Sequence, residues 1–168
     1  DLQRGSGRHH RLPGAGAAEG VEVRLHGAVA RARVDAGHRP GQISAETAAD
    51  YNQFFSKVFR DHPATLFVVP SGNEGNDNDQ LPVYPCSTVD PTTTGDVPNL
   101  ICVGGTQPND QAMCAGNVGQ NSVDIFAPGT AIWSTVRGTT NGAHAAGGTS
   151  AAAGIVAGVA ALVEHLDP

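Results

Sequence analysis

Thr65-Leu66-Phe67-Val68-Val69-Pro70-Ser71-Gly72-Asn73-Glu74-Gly75 is the stretch whose reading decides the fold. Residues 65–69 form a continuous apolar run, the pattern of a strand buried on both faces of a parallel sheet. The run then breaks into small and polar residues. Gly72 lets a ligand come close to the backbone, and Asn73 stands at the strand's C-terminal end, where sites in parallel sheets usually form. Taken alone, Asn73 reads equally as an ordinary turn residue.

Working outward, the run is preceded by a helix. Ser44 is its expected N-cap, and Glu46 lies in the first turn, where the dipole favours an anion. Ala48, Tyr51, Phe55 and Val58 recur at helical spacing and supply one apolar stripe. Asp61-His62-Pro63 ends the helix, because a residue before proline avoids the helical region. Residues 70–81 form a polar loop. Leu100-Ile101-Cys102-Val103-Gly104 is a second buried strand, and shorter strands are expected at 123–126 and 131–135. Asn141-Gly142 is a turn signal that closes a hairpin opening near Trp133. Residues 150–166 are apolar on every side, which predicts a helix buried all round. Gly154 and Gly158 each lower its propensity by about 1 kcal/mol relative to Ala. The class is α/β.

Gly147-Gly148-Thr149-Ser150-Ala151-Ala152-Ala153 delivers a serine to the start of that last helix. The first N–H groups of a helix have no internal partners and sit beside a partial positive charge. A hydroxyl there is placed to attack a carbonyl while those N–H groups hold the oxygen that becomes negative. A plain helix cap is the competing reading of this motif by itself.

Taken together and in order, the motifs carry a resemblance. Ser71-Gly72-Asn73-Glu74-Gly75, Tyr84-Pro85, Leu100-Ile101-Cys102-Val103-Gly104-Gly105, Val123-Asp124-Ile125-Phe126-Ala127-Pro128-Gly129, and Gly148-Thr149-Ser150 followed by Val156-Ala157-Gly158-Val159-Ala160-Ala161-Leu162 are similar to the subtilisin-like serine proteases. The resemblance covers residues 43–168 and implies the C-terminal part of such a catalytic domain. The fold it implies is a three-layer α/β fold with a mostly parallel sheet, incomplete on its N-terminal side. Ser150 would be the acylated nucleophile. Asn73 would donate its side-chain amide to the oxyanion beside the Ser150 N–H. Pro70, Ser71 and Gly72 would wall the pocket for the residue preceding the cleaved bond, with Glu74 near its rim. Asp124 is expected to be structural.

Two parts of the family pattern are absent. The mechanism needs an aspartate and a histidine base ahead of the serine in the chain. No Asp-Ser/Thr-Gly or His-Gly-Thr-His motif precedes Asn73. His26-Gly27 is the nearest imitation, but Ala28 and Val29 follow it and it lies too close to Asn73. The Ser-Leu-Gly strand that lines the family's substrate cleft is missing as well. In the last helix Ala151, Gly154 and Ile155 stand where the family has Met, Pro and His. The chain as written is therefore expected to be a poor protease.

The 168 residues divide sharply in composition. Residues 1–42 hold seven of the nine Arg and four acids, for a net of +3, whereas 43–168 carry −9. The first 42 residues lack Ile, Phe, Tyr, Trp, Lys, Asn, Thr, Met and Cys. Such a segment buries little apolar surface and reads as disordered. Its Arg/Gly/Ala/Pro vocabulary also fits a GC-rich gene read in the wrong frame. A basic tail, or a short strand around Val21 and Val23, are the alternatives.

The overall charge of −6 argues against nucleic acid as the main partner. No apolar run is read as membrane-spanning, and no signal peptide is seen. The three cysteines leave at least one thiol free or paired elsewhere; a Cys86–Cys102 disulfide is the favoured pairing, with three buried thiols as the alternative. A disulfide would fit an extracellular setting, and the family resemblance likewise implies secretion. No metal site is read from His/Cys spacing. No cofactor is required. Calcium is admitted as a structural ion through Asp77, Asp79, Asp90 and Asp96, against a solvated acidic loop. The function expected is hydrolysis of polypeptides through an acyl-enzyme on Ser150. Its rival is a non-catalytic homologue that binds peptides or a partner protein.

Overall fold

The computed structural model describes residues 44–93, 95–135 and 143–166. The expectations for residues 1–42, including the Val21–Val23 strand and His26, lie outside the described residues.

Helix α1 spans Ala45–Asp61, capped by Ser44, whose hydroxyl accepts the Thr47 N–H at 3.1 Å. The buried face runs through Ser56 and Phe59, with Tyr51, Phe55 and Val58 half-buried beside it. The C-terminal end is tied down from elsewhere. Asn99 Nδ2 lies 2.9–3.1 Å from the carbonyls of Phe59, His62 and Thr65 and donates to them, tying the helix end to the turn that leads into the first strand.

Strand β1, Phe67–Pro70, follows, then the short pair β2 (Val89–Asp90) and β3 (Gly95–Asp96). Next come β4, Leu100–Thr106, and β5, Ile125–Pro128. Strands β1, β4 and β5 form a parallel sheet in that order, with Val68 opposite Ile101 and Gly104 opposite Phe126. Strand β5 lies two residues later than the apolar run suggested; just before it, Asp124 grips Cys102 of β4 twice, its N–H donating to the Cys102 carbonyl at 3.0 Å and its carboxylate accepting the Cys102 N–H at 2.7 Å. The expected strands at 65–69 and 131–135 start later as well.

Strands β6 (Ile132–Thr135) and β7 (Ala143–Ala146) pair antiparallel, as a hairpin from Trp133 requires. Its Asn141-Gly142 turn lies outside the described residues. Helix α2 closes the fold at Thr149–Leu166.

Side chains alternate across a strand, so the sheet has two packed faces. Val68, Ile101, Val103 and Ala127 meet Ala152, Ala153, Ile155 and Val156 of α2. On the other face Val69 packs on Cys86, Cys102 and Val123, and Phe67 meets Phe59 of α1 with ring centroids 4.7 Å apart. The result is three layers: α1, sheet, α2. Cys86 and Cys102 form the expected disulfide, while Cys114 is free and exposed.

Helix α2 departs from expectation. Only one side, through Ala152, Ala153 and Ala157, is buried. Val159, Leu162, Val163 and Leu166 are 54–82% exposed. Apolar composition says what a helix needs to cover, not whether the described residues supply the cover. By length and composition α2 would also suffice to cross a membrane, which the sequence reading did not register. Its buried face packs on the sheet.

Candidate active site

Two backbone features bring the Asn73 loop to the start of α2. Gly148, just before the helix, adopts φ +112°, and a Cβ there would stand 3.1 Å from Asn73 Oδ1. With no side chain at that position, the helix borrows a cap. Asn73 Oδ1 accepts the Thr149 N–H at 2.9 Å, taking one of the N–H groups the helix cannot satisfy itself. Thr149 is fully buried and its hydroxyl answers in kind. It accepts from the Gly72 N–H at 3.2 Å and donates to the Gly72 carbonyl at 3.1 Å.

The strand-end Asn and the helix-start Ser are thus held one residue apart across 77 positions of sequence. Ser150 is exposed. Asn73 is exposed too, and among the described residues no hydrogen bond is made by Ser150 Oγ or by Asn73 Nδ2.

Ser71 is fully buried: its hydroxyl donates to the Asn117 carbonyl at 2.9 Å, its N–H to the Val103 carbonyl, and its own carbonyl accepts from Asn78 and Asn117, so it supports the expected pocket wall from beneath instead of forming its surface. Gly72 has φ +113°, and a Cβ there would collide with Asn117 and Glu74, so glycine is required on both counts. Glu74 turns inward. Its Oε2 accepts the Asn73 N–H at 2.8 Å and an Asn117 Nδ2 proton at 3.1 Å. Pro70 is half-buried at the strand end.

The loop rests on residues that sequence reasoning missed. Asn117 and Asn78, both essentially fully buried, lie beneath it. Asn78 Nδ2 donates to the Ser71 carbonyl at 2.9 Å. Neither Asn is distinguishable in sequence from a turn residue, since their partners lie up to 46 positions away. Thr149 was within reach of the sequence reading as the residue preceding Ser150, but its contact with Gly72 was not.

Beyond the site, Asp79 ties the loop at its own position to residues 121–122. It accepts from Ser122 Oγ, the Asn121 and Ser122 N–H groups and Asn121 Nδ2. The Ser122 hydroxyl, followed by these amides, holds the Asp79 carboxyl below the usual carboxylate range. A cleft of about 360 Å³ lies nearby, lined by Asn78, Asp79, Cys86, Asp96, Ser122 and Asp124 among others. None of the residues at the Asn73–Ser150 corner lines it. No group of three or more His, Cys, Asp or Glu converges among the described residues.

The site therefore defines an α/β protein that presents a helix-start serine beside a strand-end amide. The family model of the subtilases (peptidase S8) matches residues 28–168, and the chain belongs to that family. It is 31% identical to alkaline elastase YaB from Bacillus sp. over 154 residues, which cover 92% of this chain and 35% of that protein. It is 37% identical to subtilisin NAT of Bacillus subtilis subsp. natto over 104 residues, 61% of this chain and 24% of the relative. The same identity holds over 99 residues to subtilisin-like protease 2 of Plasmodium falciparum, 59% of this chain and 7% of that one. A mutant of the protease domain of PatA aligns in structure with TM-score 0.50 at 26% identity, covering 73% of this chain and 38% of that one. The chain thus spans about a third or less of the length of these curated relatives.

Proposed function

We propose that this chain carries the nucleophile and oxyanion half of a secreted serine endopeptidase acting on polypeptides. The observation that carries this reading is the 2.9 Å bond from the Thr149 N–H to Asn73 Oδ1. It fixes the Asn73 amide beside the N-terminus of the helix that presents Ser150. In the reaction Ser150 Oγ adds to the scissile carbonyl carbon, and the oxygen becomes an anion held by Asn73 Nδ2 and the Ser150 N–H. Collapse of the tetrahedral species breaks the C–N bond and leaves an ester on Ser150, which water then hydrolyses. The proton given up by the Ser150 hydroxyl ends on the leaving amine, so acylation neither gains nor loses a proton overall. Pro70 and Gly72 line the pocket for the residue preceding the cleaved bond, with Glu74 at its edge and buried Ser71 backing them. The Cys86–Cys102 disulfide supports an oxidising, extracellular setting.

The Ser150 proton needs a base, and none matching the family motifs stands ahead of Asn73. Chemistry by this chain alone is therefore slow, because the oxyanion donors and binding retain only part of a triad enzyme's acceleration. The second reading is a homologue that binds peptides without cleaving them. A fluorophosphonate probe separates the two. Slow modification mapped to Ser150, absent from Ser150→Ala, is the expected result. Peptide binding with no modification of Ser150 would establish the binding protein instead.

A further inference from the structure

Asn117 is the hub of the loop that carries Asn73, although it lies far along the chain between β4 and β5. Its carboxamide is fully buried. Oδ1 accepts the Glu74 N–H at 2.9 Å and the Asn76 N–H at 3.1 Å. Nδ2 faces three oxygens: Asn78 Oδ1 at 3.0 Å, and the Ser71 carbonyl and Glu74 Oε2 each at 3.1 Å. Two N–H donors at one end and three acceptors at the other leave the amide one orientation. Through Glu74 the hub reaches the Asn73 N–H itself. Every backbone segment flanking Asn73 is thereby tied to a single side chain.

We infer that Asn117 is a positioning residue for oxyanion binding, setting the course of residues 71–76 and with it the place of the Asn73 amide. This rests on the function proposed above. Asn117 touches no reacting atom. Its effect passes through Asn73, and misplacing an oriented group by about 1 Å typically costs ~10²-fold in rate.

The backbone bonds that pair the same two segments do not involve this side chain. Asn117 N–H donates to the Gly72 carbonyl, Gly75 N–H to the Ala115 carbonyl and Val118 N–H to the Asn76 carbonyl, at 2.9–3.0 Å. Removing the carboxamide therefore releases the loop locally, with that backbone pairing retained.

The test compares Asn117→Ala in the parent chain and in the Asn73→Ala background, reading fluorophosphonate labelling of Ser150 and amide hydrogen exchange. In the parent background labelling should fall ~10- to 100-fold. In the Asn73→Ala background the further fall should be under ~3-fold, since residues acting as one unit are not additive. Exchange should quicken at Glu74 and Asn76 while amides of β4 and α2 keep their protection. Equal losses in both backgrounds, or a uniform rise in exchange, would overturn the assignment. If the parent chain itself is not labelled at Ser150, the proposed function fails. Exchange then decides the hub alone: a rise confined to Glu74 and Asn76 upholds it and no change removes it. Should Asn117→Ala not fold, Asn117→Ser, which retains one donor and acceptor, carries the same comparison.

Discussion

Asn73 serves two masters, and its two side-chain atoms separate them. Oδ1 caps α2 through the Thr149 N–H, while Nδ2 is the atom to which the proposed function gives the oxyanion. Asn73→Ala removes both, and we expect Ser150 labelling to fall ~10²–10³-fold, the usual cost of one lost oxyanion donor. It should also lower stability by about 1 kcal/mol through the lost cap. Asn73→Asp keeps the acceptor and adds a charge that the helix start favours by ~0.3–1 kcal/mol. Labelling should then be lost while the urea midpoint holds or rises. Parallel losses in both quantities would show that the cap, not the amide, is what the serine requires.

At the level of elements, cross-links between loops matter more than the strands, which are short. The Cys86–Cys102 bridge closes a separation of 16 residues, so reducing it should cost about 3 kcal/mol by the loop-entropy relation. Urea midpoints with and without reductant check this, with Cys86→Ala/Cys102→Ala as the reference. Asp79 makes a second cross-link, to residues 121–122, and its pKa is depressed from 3.8. A depressed carboxyl contributes stability that is present above the unfolded value and lost as pH falls through the folded one. Asp79→Asn should therefore flatten the loss of stability below about pH 4, and an unchanged acid limb in its melting curve would refute this.

Reading these elements from sequence succeeded where the signal is local. Ser44 and the Phe67–Val69 run declare themselves within a few residues. The two-residue strands β2 and β3 carry too few side chains to show any period. The reading of Ser150 and Asn73 as one site came from several motifs in order. Asn117, Asn78 and the Thr149–Gly72 contact stayed hidden because their partners are set by tertiary packing.

For the whole molecule the dominant feature is the uncovered side of α2, where Leu162 and Leu166 are 65% and 82% exposed. Contiguous apolar surface of this kind marks a place where apolar ligands or partners can bind. Leu162→Lys/Leu166→Lys should reduce binding of an apolar dye, with helix content unchanged. Undiminished dye binding in that variant would locate the apolar surface elsewhere, with exposed Phe126 and Trp133 as the next place to look.

The pairing of residues 72–78 with 115–118 has a consequence for protein engineering. A specificity loop exchanged between relatives is usually treated as one cassette. Here the cassette is split: the Gly72, Gly75, Asn76 and Asn78 backbone is written against Ala115, Asn117 and Val118. A graft of either segment without the other would therefore bring in a loop with half of its hydrogen-bonding template missing.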